Sequence, residues 1–84
     1  MSDAILINGV VYRRYLAGNS RRGFEWVYRR QSVPPDAMPG KRSRTRQSYK
    51  LHELPEHEEI TVERAKEICA ASVEVWAEKL RAHG

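Results

Sequence analysis

Residues 24–31 read Phe-Glu-Trp-Val-Tyr-Arg-Arg-Gln. Large rings recur at every second position. In an extended chain Phe24, Trp26 and Tyr28 fall on one side, and Glu25, Val27 and Arg29 on the other. Period-two alternation in aromatic and β-branched residues predicts a strand with one packed face. A strand needs partners, and these are sought outward from this stretch.

Upstream, Gly18-Asn19-Ser20-Arg21-Arg22-Gly23 predicts a hairpin loop. Before it, residues 5–16 (Ile-Leu-Ile-Asn-Gly-Val-Val-Tyr-Arg-Arg-Tyr-Leu) are again rich in strand-forming types. Asn8-Gly9 is a turn dipeptide at which this stretch can divide into a short leading strand and a main strand over 10–16. Downstream, Pro34, Pro35, Pro39 and Gly40 predict a loop over 32–43, because proline fixes φ and lacks an amide donor. Residues 44–51 predict a third strand. Thr45, Gln47, Tyr49 and Leu51 would share one face, and Arg44, Arg46, Ser48 and Lys50 the other. Residues 52–60 then read as an acidic linker.

Thr61 is a good N-cap, and from there to residue 82 the pattern is helical. Ala65, Ile68, Cys69, Ser72, Val73, Trp76 and Leu80 recur at three- and four-residue spacing. Glu63 in the first turn and Lys79, Arg81 and His83 near the end suit the helix dipole. The expected fold is α+β: a three-stranded antiparallel sheet packed against one C-terminal α-helix. It forms a single domain over 1–84, with a basic β-sheet half at 5–51, the linker at 52–60 and the helix at 61–82. Trp76 is expected against the ring-bearing face of residues 24–28, leaving the opposite sheet face open and rich in arginine.

Charge is the most informative part of the composition. Of 84 residues, 40% are hydrophobic and 31% charged, ordinary values for a globular chain. The first fifty residues hold eleven cations against three carboxylates: Arg13, Arg14, Arg21, Arg22, Arg29, Arg30, Lys41, Arg42, Arg44, Arg46 and Lys50 against Asp3, Glu25 and Asp36. The remaining residues hold eight glutamates against four cations. Nine of the eleven cations are arginine. The guanidinium pairs bidentately with phosphate and with guanine edges, and it stacks on bases, so this bias favours recognition over solvation. Arg13, Arg29, Arg44, Arg46 and Lys50 are the expected face contacts, with Arg21, Arg22, Lys41 and Arg42 gripping the flanking backbone. A register shift of one would exchange Arg13 for Arg14 and Arg29 for Arg30.

The order of three strands and a helix resembles DNA-binding domains of the plant AP2 type and the N-terminal domains of tyrosine integrases. That resemblance implies a sheet that enters a duplex groove. The expected function is a small non-enzymatic nucleic-acid-binding regulator or accessory factor, with DNA slightly ahead of RNA. The competing expectation is a small phage-type inhibitor or adaptor whose basic face occupies an acidic protein surface, with the proline-rich loop as a docking arm.

Other chemistries find less support. A core of this size, burying roughly 60–65% of the unfolded chain's surface, leaves little room for a catalytic pocket, and no phosphate-binding glycine loop is present. His52, His57, His83 and Cys69 lack the tight paired spacing of a zinc site, so no metal or other cofactor is expected. One cysteine excludes an internal disulfide. Ile5-Leu6-Ile7 is too short for a signal sequence, and no run approaches the roughly 20 apolar residues of a membrane span. A cytoplasmic protein without a small-molecule substrate is the expectation.

Overall fold

A computed structural model describes residues Ser2–His83; Met1 and Gly84 lie outside the described residues. Five strands precede one long helix: β1 Ala4–Ile7, β2 Val10–Asn19, β3 Gly23–Arg30, β4 Ser48–Lys50, β5 Glu58–Ile60 and α1 Val62–His83. The sheet is antiparallel throughout, in the order β4-β3-β2-β1-β5. The α+β layout and the C-terminal helix agree with the sequence. The strand number does not, since the sheet has five strands rather than three.

The two additions have local causes. Asn8 and Gly9 adopt φ of 50° and 80°. Two consecutive positive φ values make the tight turn that matches strand twist, and Asn-Gly is the dipeptide that tolerates them. Residues 4–13 therefore form a β-hairpin of their own. Its outer strand has a bare edge, which Glu58-Glu59-Ile60 fills by pairing Ile60 with Ala4 and Glu58 with Leu6. Part of the supposed linker is thus an edge strand, short and charged as edge strands tend to be. The expected third strand shrinks to Ser48–Lys50 and is followed by a 3-10 turn over Leu51–Glu53. The likeness to three-stranded DNA-binding domains stops at these added strands.

Apolar side chains collect on both faces of the sheet, at the end near β1. On one face, here the tyrosine face, Ile5, Ile7, Val10, Tyr12 and Tyr28 are buried beneath Tyr49, Leu51 and Leu54. On the other, the helix face, Ala4 and Val11 meet Ala65, flanked by Leu6, Ile60, Ile68 and Cys69. The helix starts where the sequence predicts, with Thr61 Oγ1 accepting the Arg64 amide at 3.0 Å.

Trp76 is placed differently from the expectation. It stands beside Val33, Pro34 and Ala37 of the proline-rich loop, not against the rings of β3. The helix lies instead on the face of Ala4 and Val11, whose small side chains allow its backbone to come close.

The loop after β3 is held at both ends. The Ser32 hydroxyl, itself buried, accepts the Val11 amide at 2.9 Å. Ser72 Oγ on the helix accepts the Val33 amide at 3.0 Å. Lys79 Nζ donates to the carbonyls of Pro35 and Ala37 at 3.0 and 2.8 Å. On the tyrosine face the Tyr12 hydroxyl donates to the Arg46 carbonyl at 2.6 Å. The loop therefore ties the helix to the sheet and is not a free docking arm.

Ser32 gives a direct test of this arrangement. Ser32→Ala leaves the Val11 amide buried without an acceptor, an expected loss of about 1–3 kcal/mol. Chemical denaturation checks it, and an unchanged midpoint would mean that the hydroxyl does not hold the loop.

Candidate nucleic-acid interface

Strand β2 outruns its neighbours. Strand β1 reaches only as far as Arg13, and β4 covers only Val27 to Arg29 of β3. Four pairs remain beyond them: Leu16 with Trp26, Ala17 with Glu25, Gly18 with Phe24, and Asn19 with Gly23. This two-stranded arm extends roughly 13 Å past the body of the sheet, at about 3.3 Å per residue. It contributes to an elongated molecule with extents of 44 × 28 × 21 Å.

The tip is built for a close turn. Asn19 Oδ1 accepts the amides of Arg21 and Arg22 at 3.0 and 2.8 Å. Gly18 has φ of 126°, and a Cβ there would stand 2.1 Å from the Gly23 carbonyl oxygen. Only glycine fits that site. One result is that Phe24 faces no side chain across the ladder.

The predicted cations do not gather on one face. Arg13-Arg14 and Arg29-Arg30 are doublets, and consecutive strand residues point to opposite sides. Arg13 and Arg29 are directly opposite each other on the helix face. Two like charges in that position repel. Arg29 turns to the Tyr15 ring, its guanidinium carbon 4.7 Å from the centroid. On the tyrosine face Arg14 lies 4.6 Å over Trp26. Its Nε is buried with no acceptor, so its contact with the ring is what holds it. Arg30 donates to the Thr45 carbonyl at 2.8 Å and serves the loop.

The remaining cations divide likewise. Arg46 stacks on Tyr49 at 4.8 Å and pairs with Glu53 at 2.6 Å. Lys50 stands 3.8 Å from Glu25. Arg21, Arg22, Lys41, Arg42 and Arg44 are exposed, and their side chains make no ion pair or hydrogen bond among the described residues. The arm and its root thus bring together Arg13, Arg14, Arg21, Arg22 and Arg29, with Glu25 as the arm's one carboxylate. Lys41, Arg42 and Arg44 belong to the loop.

Sequence reasoning missed the arm's apolar surface. Tyr15, Leu16, Phe24 and Trp26 are 47%, 46%, 60% and 46% exposed. The signal was present in strand lengths. A leading strand that ends at Asn8 cannot line a partner running to Asn19.

Buried polar groups elsewhere are structural. Burial pushes the Tyr12 and Tyr28 phenols up, so both stay neutral donors, Tyr28 to the Ser2 carbonyl at 2.6 Å. Burial likewise raises the Cys69 thiol, which belongs to the packed helix stripe. Among the described residues no three His, Cys, Asp or Glu side chains are grouped to hold a metal. Among them, too, no helix is long and apolar enough to cross a membrane. Compared with known proteins, the chain matches no family model, no curated protein and no solved structure.

Asp36 anchors the basic loop. Its carboxylate accepts the Ser43 hydroxyl at 2.7 Å, the Arg44 amide at 2.9 Å and the Thr45 hydroxyl at 2.9 Å. These bonds, that from Ser43 foremost, hold its pKa below the ordinary aspartate value. A depressed carboxylate stabilises above its unfolded value and loses that effect as pH falls through its folded one. The protection factor of the Arg44 amide, its exchange rate relative to the intrinsic rate at the same pH, should therefore hold until the pH drops below the ordinary aspartate range. In Asp36→Ala that factor should be low at every pH; equal protection in the variant would remove Asp36 from this role.

Proposed function

We propose that this chain is a small non-enzymatic nucleic-acid-binding protein, a regulator or accessory factor, that engages its polyanion through the β2–β3 arm. One observation carries the reading. A projecting two-stranded ribbon carries Arg21 and Arg22 at its tip and Arg13, Arg14 and Arg29 at its root, and its one carboxylate already faces Lys50. A ribbon offers cations to both sides, so phosphates on two strands, or on two turns of one strand, lie within reach of it. Arginines held over the rings of Trp26 and Tyr15 have lost part of their rotamer freedom before binding. Arg21 and Arg22 at the tip, with Lys41, Arg42 and Arg44 on the loop, supply further phosphate contacts.

This departs from the expectation of one open basic face. Arg13 and Arg29 do share a face, but the helix packs on that side of the sheet and not on the opposite one, and the reading rests on the arm instead. The competing partner, an acidic protein surface, is favoured by the exposed rings of the arm, because aromatic residues and arginine are enriched at protein interfaces.

Salt dependence separates the two. For duplex DNA, log affinity should fall against log salt with a slope of about −0.9 per neutralised phosphate. Arg21→Ala/Arg22→Ala should flatten that slope by roughly two without unfolding the domain. Titrating DNA and RNA in parallel tests the preference for DNA. No binding to either at low salt would end this reading and leave the protein partner standing.

A further inference from the structure

The two sides of the arm differ in what they leave open. On the helix face the Tyr15 ring already carries the Arg29 guanidinium, Val27 is buried, and Glu25 and Lys50 face each other. On the tyrosine face Arg14 covers Trp26 much as Arg29 covers Tyr15, but Leu16 and the Phe24 ring, 60% exposed, lie under no cation, and with Trp26 they form an exposed patch. Leu16 is directly opposite Trp26, and Phe24 is opposite Gly18. Phe24 and Trp26 are two residues apart on one strand, so their rings project side by side, roughly 7 Å apart along it. Arg14 flanks Trp26, while Arg21 and Arg22 lie just past Phe24.

We propose that this patch is a stacking platform for unpaired bases, so that the arm prefers single-stranded nucleic acid or unpaired segments over duplex. The inference rests on the nucleic-acid reading above and specifies the form of the ligand. Charge supports this occupant: an aromatic surface bordered by unpaired arginines suits a ligand with flat apolar groups on a phosphate chain. In a duplex both faces of each base are covered by its neighbours, and a ring can reach one only after unstacking a step. Unpaired bases offer their faces directly, whatever the base, which predicts weak sequence preference.

The test uses the full chain, a mixed-sequence single-stranded oligonucleotide and its duplex, at one salt concentration. The single strand should bind more tightly. Because Trp76 also emits, Trp76→Phe isolates Trp26, whose fluorescence should fall on binding the single strand. Phe24 is mostly exposed, so its substitutions leave the core intact, which circular dichroism verifies. Phe24→Ala and Phe24→Leu should each weaken single-strand binding by roughly five- to a hundredfold, the range for losing a stacked base. Phe24→Trp should retain it, because a larger ring still stacks while leucine is apolar without a ring face. Duplex binding equal to or tighter than single-strand binding would overturn the platform. So would Phe24→Leu binding like the parent. If Arg21→Ala/Arg22→Ala still lowers the salt slope in either case, nucleic-acid binding survives and only the platform falls. Binding to neither oligonucleotide overturns both.

Discussion

The structure depends on a mismatch of lengths. Strand β2 runs for ten residues, while β1 offers four and β4 three. The buried residues of β2 are Val10, Val11 and Tyr12, all in the part paired with β1, while Tyr15 and Leu16 beyond it stay about half exposed. Beyond Tyr15 the ladder continues with β3 alone. An isolated two-stranded ribbon is marginal in water, and this one persists because its root is an inner part of the sheet. The packed body and the exposed arm are therefore consequences of a single strand length.

Which face receives the helix follows from side-chain size and hydrogen bonding. Ala4, Val11 and Ala65 let helix and sheet come close. Tyr12 and Tyr28 require depth and an acceptor for each hydroxyl. Carbonyls inside a helix are already engaged, whereas Arg46 and Ser2, in extended segments, have carbonyls to spare. The tyrosines are thus covered by irregular chain, and the helix takes the smaller residues. The proline-rich loop carries the cover from one face to the other, fixed by Ser32, Ser72 and Lys79.

Much of this was legible. The Asn8-Gly9 turn, the strand through Phe24, Trp26 and Tyr28, and the Thr61 cap follow from local backbone chemistry and hold, but of the three rings only Tyr28 is buried, and the helical stripe packs at Ala65, Ile68 and Cys69 while Val73 and Leu80 stay exposed. Strand β5 was hidden because Glu58-Glu59-Ile60 is too short and too acidic to have a strand pattern, and only a bare edge gives it a role. The site was less legible. Adjacent arginines on a strand diverge, so only one of each doublet can join a given face, and which side of the sheet the helix takes was not written in that pattern. Which cations stay free depends on tertiary partners: Glu53 takes Arg46, and the Thr45 carbonyl takes Arg30. No local pattern encodes those pairings.

The bare margins of the arm also govern how the molecule moves. Between Leu16 and Trp26 the ladder hydrogen bonds border solvent on both edges, and few buried side chains hold them closed. Segments of that kind open by local fluctuation at far lower free energy than the body of a domain. The ribbon is therefore a soft projection on a firm base. It can alter its twist to follow a ligand while the core stays as it is.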